Sequence, residues 1–386
     1  MSKTAQQSLR FTHVRLENWR NFTRVDAPLD RRVFLVGPNA SGKSNLLDVF
    51  RFLRDLVAVG GGLQEAVRRR GGVSRLRCLA ARRIPAITVC VRVGTDQEPG
   101  LWEYELCFSQ DGRRRPVIRR ERVVRSGTEV LSRPDTEDEG DEERLTQTYL
   151  EQVYVNQQFR EIAEFFPTVQ YLHIVPQLIR EPDRSVGKTD DPFGGDFLER
   201  IAGAQKKTRE AWLRRIRDAL RVAVPQLHEL ELWRDVEGKP HLRGKCEHWR
   251  PQGAWQTEDQ FSDGTLRLMG LLWIALAGSG PLLLEEPESS LHAEVVRHIP
   301  QMFARMQRRT GRQVMISTHS ADMLHDRGIG LNEVLLLEPA AEGTTVHAAV
   351  DIEEAQALLE GGLTLADIVI PRTRPREVEQ LARFGD

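Results

Sequence analysis

Cysteine is scarce in this chain of 386 residues: Cys78, Cys90, Cys107 and Cys246 are the four present, and no two stand as C-x-x-C. That pattern argues against a zinc ribbon or a disulfide framework and leaves buried, reduced thiols. No run of eighteen apolar residues occurs, so no membrane-spanning helix is expected. The first residues, Met1 to Ser8, lack an apolar signal core, which points to the cytoplasm. Internal repeats and long heptad runs are also missing. What is present is 40% apolar and 29% charged residues, the composition of a globular protein with a heavily charged surface and room for about two domains.

The net charge of −1 hides an uneven distribution. Between Glu65 and Arg125 there are fifteen Arg against seven Asp or Glu, including Arg68–Arg70, Arg82–Arg83, Arg113–Arg115 and Arg119–Arg120. This block reads equally as a contact surface for a nucleic-acid backbone or as a solvated, Arg-rich exterior. Residues 132–144 carry seven acidic side chains and almost nothing apolar, which predicts an exposed, mobile loop.

The strongest local signal is Gly37, Pro38, Asn39, Ala40, Ser41, Gly42, Lys43 and Ser44, the spacing G-x-x-x-x-G-K-[ST]. It follows the apolar run Val33–Val36 and leads through Asn45 into residues with helical apolar spacing. Strand, glycine turn and helix together make a phosphate-binding loop. The glycines let successive N–H groups converge on phosphate oxygens, and the helix start adds its positive dipole end. Lys43 is expected to reach the β- and γ-phosphates, and Ser44 to ligate Mg²⁺.

Around this loop, Leu9–Leu16 and Arg32–Val36 read as strands joined through a polar-aromatic turn at Glu17–Phe22, and residues 86–131 read as an antiparallel meander. Helical patterns are expected at 146–165 and 196–222, with a strand at Val169–Val175 and a Pro- and Gly-punctuated loop from there to Gly195. Residues 228–256 suggest a hairpin around Glu237-Gly238. From 261 onward alternating helix and strand imply a parallel sheet.

The apolar strand Pro281–Leu284 ends in Glu285 and Glu286. Acids delivered at the end of a buried strand can place Mg²⁺ beside phosphates, with Glu285 holding the metal and Glu286 polarising the attacking water. The strand Gln313–Thr318 ends on His319, placed to sense a γ-phosphate. Phe261-Ser-Asp-Gly-Thr-Leu-Arg267 precedes an apolar helix, and a Ser-x-Gly turn at a helix start is another anion-binding arrangement.

In this order the four motifs resemble the ABC-type ATPases of the SMC, RecF and OLD (overcoming lysogenization defect) group, and most of all their compact bacterial AAA-family relatives. The resemblance covers residues 9–60 and 255–325 well and the middle loosely. It implies that Gly37–Ser44 is the Walker A loop and Glu285–Glu286 the Walker B pair. Ser262 and Gly264 would then lie in the signature motif, Ser290 and Leu291 in the D-loop, and His319 would be the switch histidine. It further implies a head-to-tail homodimer enclosing two ATP. Three departures stand out: Glu285 occupies a position where many relatives have Asp, Asp263 replaces the first signature glycine, and the insert of about 215 residues has neither zinc-hook cysteines nor a coiled coil. The residues after His319 are too few for a Toprim nuclease domain. Gln177 is the candidate for the first-lobe Mg²⁺ glutamine, and Arg180 either meets phosphate or pairs with a surface acid.

The expected fold is therefore an α/β P-loop NTPase of the ABC-ATPase head type, with a mainly parallel sheet, an antiparallel β-lobe and a helical insert. Its segments would be 1–60 with Walker A, the lobe 61–131, the acidic loop 132–147, an insert 148–255 and a C-terminal lobe 256–386. The expected activity is Mg²⁺-dependent ATP hydrolysis in a dimeric switch, coupled to double-stranded DNA through 65–125 or to a separately encoded effector or nuclease, in DNA repair or phage defence. The alternative is a regulatory ATP-binding subunit that controls such an effector without itself touching DNA. A transporter subunit is disfavoured by the large β-lobe, and an intrinsic nuclease by the lack of a second acidic cluster.

Overall fold

Buried β-branched and aromatic runs set the frame. In a computed structural model, residues 8–81, 85–181, 191–247, 254–374 and 378–384 are described. Arg82, Arg83, 182–190 of the expected loop and 248–253 of the expected hairpin lie outside them. The chain divides into two compact units, each discontinuous in sequence: residues 1–170, 279–283 and 300–386 form the first, and residues 171–278 and 284–299 the second.

The first unit holds a six-stranded antiparallel sheet in the order β2-β1-β4-β5-β6-β7. Its strands are β1 (Arg10–Trp19), β2 (Phe22–Pro28), β4 (Ile87–Gly94), β5 (Trp102–Gln110), β6 (Pro116–Arg125) and β7 (Thr128–Arg133). β4 to β6 are the expected meander, and β1 and β2 extend it. Their inner faces supply Phe11, Val14, Leu16, Trp19, Tyr104 and Phe108, all without exposure. Such burial of large apolar side chains is the main force holding the layer.

A second six-stranded sheet runs β15-β14-β3-β13-β12-β8. It comprises β3 (Arg32–Val36), β8 (Gln170–Leu172), β12 (Leu282–Glu285), β13 (Val314–Thr318), β14 (Val334–Ala340) and β15 (Gly343–Ala348). β3 pairs in parallel with both β13 and β14, as the alternating pattern predicts, while β15 returns antiparallel at the edge. Helix α1 (Lys43–Val57) follows β3 and buries Leu46, Leu47, Val49, Phe50 and Leu53.

The second unit carries a three-stranded antiparallel sheet, β11-β10-β9, made of β9 (Leu227–Arg234), β10 (Pro240–Cys246) and β11 (Ala254–Thr257). The hairpin turns at Gly238, whose φ of 83° suits glycine. Among its helices are α2 (Lys206–Ala223) and α3 (Asp263–Leu276), which carries the expected signature at its start.

One sequence expectation fails and another holds in part. The helix expected at 146–165 is instead a series of short turns with one helical segment, Arg160–Phe165, because Asn156 and the Phe165-Phe166-Pro167 run break the apolar period. The acidic stretch 132–144 is exposed over most of its length, as expected, but it is folded into short helical turns. Arg133 is buried and bonds Glu121 at 3.0 Å and Asp138 at 2.7 Å, with its guanidinium 3.8 Å from the Tyr149 ring centre. One arginine thus organises the run, and Asp135 caps the short helix Thr136–Gly140.

Candidate nucleotide site

In the first unit the phosphate loop is a turn that only its own sequence allows. Gly42 has φ 96° at the N-cap of α1, and Ala40 has φ 63°. A Cβ on Gly42 would stand 2.2 Å from the Asn21 amide nitrogen, and one on Gly37 would stand 2.6 Å from the Leu337 carbonyl oxygen. Both glycines are required by close approach. Lys43 is buried, and its Nζ donates to the carbonyls of Gly37 at 2.8 Å and Pro38 at 3.0 Å, so the ammonium curls over its own loop. Ser41 is fully buried, with its Oγ lacking a hydrogen-bond partner. A cationic turn with an orphaned buried hydroxyl suits an anionic ligand.

The turn between β1 and β2 straps this loop, a role sequence reading missed. Asn21 Nδ2 donates to the Ser41 carbonyl at 2.9 Å and to Thr344 Oγ1 at 2.8 Å, while Asn45 Nδ2 donates to Asn21 Oδ1 at 2.7 Å. Trp19 Nε1 reaches the Asn45 carbonyl at 2.9 Å, and Arg20 pairs with Asp48 at 2.9 Å. Asn18 and Arg20 both adopt left-handed φ, 58° and 52°. The available signal was a polar pair bracketed by two aromatics, Trp19 and Phe22. Beside the loop lies a cavity of about 730 Å³, lined by Arg20, Asn21, Asn45, Arg75, Arg77 and Gly343 among others. That volume suits a small-molecule ligand.

His319 is exposed and follows β13 directly. Because Thr318 pairs with Val36 across the parallel ladder, His319 and Gly37 leave the sheet side by side. The structure thus brings the histidine to the mouth of the loop.

In the second unit the acidic end of β12 is itself strained. Glu286 has φ 42° and Ser290 has φ 62°, both costly for residues with side chains. Tyr171 donates its hydroxyl to Glu285. Ser262 caps α3, accepting from the Thr265 N–H at 3.2 Å, and is exposed. A Cβ on Gly264 would stand 2.6 Å from the Ser290 carbonyl, so the signature turn and the Ser290 turn touch backbone to backbone. Asp263, the departure from the usual signature, pairs with Arg180 at 2.6 Å, and Arg180 also donates to the Phe261 carbonyl at 2.6 Å. Arg180 therefore pairs with an acid and braces the signature turn. Arg267 lies one turn further on, half-buried; burial holds its pKa down against the pull of Asp263, Glu286 and Glu288. Gln177 is exposed on the short helix Pro176–Arg180.

Among the described residues of the Arg-rich block 65–125, seven arginines form ion pairs, while the exposed Arg75, Arg77, Arg113, Arg114 and Arg119 form none. Arg68 and Arg69 pair with Glu65, and Arg70 with Asp48 and Asp55. Arg92 pairs with Glu103, Arg115 with Asp111 and Glu143, Arg120 with Glu105, and Arg122 with Glu103 and Glu129. Arg125 lies over the Trp102 ring at 5.0 Å. The choice between a contact surface and a solvated exterior at this block therefore stays open.

A protein-family model described as "AAA domain, putative AbiEii toxin, Type IV TA system" matches residues 32–324. Among solved structures, an Smc head bound to the C-terminal winged-helix domain of ScpA is similar over 90% of this chain and 99% of its own, with TM-score 0.54 and 14% identity. The Pyrococcus furiosus Smc head with an extended coiled coil, bound to the C-terminal domain of ScpA, is similar over 92% and 99%, with TM-score 0.54 and 12% identity. The Pyrococcus yayanosii Smc head with a coiled coil and joint covers 92% and 100%, with TM-score 0.51 and 12% identity. At such identities the likeness is one of fold, that of an ABC-type P-loop ATPase head. No curated protein sequence matches the chain.

Proposed function

The chain belongs to the AAA-domain family of that model, and from this premise we propose that it is an Mg²⁺-dependent ATP hydrolase acting as an ATP-sandwiched homodimeric switch. The observation carrying the reading is the preformed phosphate loop, in which Lys43 already spans the Gly37 and Pro38 carbonyls above a partnerless Ser41 hydroxyl. ATP phosphates would draw Lys43 off those carbonyls and take the loop N–H groups as donors. The cavity beside Arg20, Asn21 and Arg77 would take the nucleoside end.

Ser44, Glu285 and Gln177 would hold Mg²⁺, oxygen donors being the set this hard cation prefers. When bound, Mg²⁺ would supply charge neutralisation on the phosphates. Glu286 would accept a proton from water as the water oxygen attacks the γ-phosphorus and the bond to the β-phosphate oxygen breaks, with His319 contacting the γ-phosphate. Ser262 and Gly264 of a second copy would complete each site. The exposure of Ser262 at the start of α3 supports that role.

Two outputs fit such a switch: DNA binding, or control of a separately encoded effector or nuclease, in repair or phage defence. The family's description as a toxin of a toxin–antitoxin pair is in keeping with a protein partner. The test is phosphate release by wild type, Lys43→Ala and Glu286→Gln. The expected result is turnover in wild type alone; equal rates in all three would overturn the assignment.

A further inference from the structure

Helix α2 has two unlike faces. Leu213, Ile216 and Leu220 are buried, and Trp212 meets Trp273 of α3 edge-on at 5.1 Å. The other face exposes Lys206, Lys207, Arg214, Arg215 and Arg221. Within its eighteen residues the helix carries seven basic and two acidic side chains, in a chain whose net charge is −1. Arg217 pairs with Asp218 at 2.7 Å, and Arg209 donates to the carbonyls of Ala202 and Ala204. Among the described residues these five exposed cations form no ion pair.

This placement works against the helix. The first turn holds no acid and begins Lys206-Lys207, where the positive end of the dipole favours the opposite sign. Lys207, Arg214 and Arg221 recur every seven residues over roughly 21 Å, with the exposed Glu210 and Asp218 set between them. Five exposed cations without an ion pair against two exposed acids leave this face net positive and open to an anionic ligand.

We propose that the exposed face of α2 is a contact surface for the phosphodiester backbone of a nucleic acid. A duplex presents a continuous line of charge, about one per 1.7 Å of axis, which a net-positive helix face can follow without a fixed register. A membrane surface fits less well, since an interfacial helix needs an apolar face to insert, and here the apolar face is spent on packing with only Val222 left exposed. An acidic protein partner would call for an apolar anchor beside the charges, which this face lacks. The proposal goes beyond the ATPase reading and does not depend on it, because none of its residues belongs to the nucleotide site.

The test is fluorescence anisotropy with a labelled DNA duplex, without ATP, across a salt series. Wild type is expected to bind at low salt, with affinity falling linearly on a log–log plot. Arg214→Glu with Arg215→Glu should weaken binding by about tenfold or more and flatten the salt slope by about two. Arg68→Gln with Arg69→Gln, on cations already paired with Glu65, should leave both unchanged. A neutral pair, Arg214→Gln with Arg215→Gln, should move the slope the same way and guards against misfolding of the reversal variant. No binding by wild type, an unchanged slope in both α2 variants, or equal binding to polyglutamate or phosphatidylserine vesicles would each overturn the proposal.

Discussion

The side-chain amide of Asn21 donates to the backbone carbonyl of Ser41 at 2.9 Å, so the turn between β1 and β2 holds the phosphate loop from outside. The same side chain accepts from Asn45 and donates to Thr344, tying loop, helix α1 and edge strand β15 together. Asn21→Ala should cost about 1–2 kcal/mol of loop order, seen as roughly five- to thirtyfold weaker ATP affinity by calorimetry. Unchanged affinity would remove Asn21 from the site.

Gly264 and Ser290 set a second expectation. Gly264→Ala forces a Cβ to within 2.6 Å of the Ser290 carbonyl, and neither backbone can yield without moving the other turn. ATP binding should persist because the phosphate loop is untouched, while turnover should fall about a hundredfold through misplacement. Phosphate release and nucleotide binding measured on the same preparation separate the two.

Buried charge makes the third. Arg133, Glu121 and Asp138 have no side-chain exposure. Burial pushes the Glu121 carboxyl up, against the Tyr149 and Leu150 N–H groups and Arg133 that hold it down. Arg133→Met would strand two buried acids at about 3–5 kcal/mol, lowering the urea midpoint clearly. Arg68→Ala, on the exposed pair with Glu65, should leave the midpoint where it is.

The fourth concerns pH. Burial lowers the His241 pKa, but Glu258, 2.6 Å away, and Asp235 outweigh it, and the net direction is upward. A raised folded-state pKa contributes stability that is fully present below the unfolded value of about 6.5 and is lost as pH rises through the folded one. Wild type should therefore out-melt His241→Gln at pH 6, with the gap closing in alkaline buffer. A gap constant with pH would contradict this. Glu258 lies three residues before Phe261, so the signature turn should share the dependence.

How much of this was legible follows from range. Strand β3, the glycine turn and α1 are contiguous, so spacing alone exposed them, and β12 and β13 showed as apolar runs ending in acids and a histidine. Asn21 escaped because its partners lie at Ser41, Asn45 and Thr344. The acidic run 132–144 misled in part because composition cannot show that Arg133 is buried among its acids. The Arg-rich block stayed open in the sequence because the acids that pair part of it are cross-strand neighbours such as Glu103 and Glu129. Segment α2 read correctly as an amphipathic helix, yet its unpaired cations emerge only once every other ion pair is placed.

The central claim is tested most directly by the solution mass of Glu286→Gln with and without Mg-ATP. The account predicts a shift from one chain to two on adding ATP, with phosphate release abolished. A mass that ATP does not change, together with hydrolysis at the wild-type rate, would contradict it.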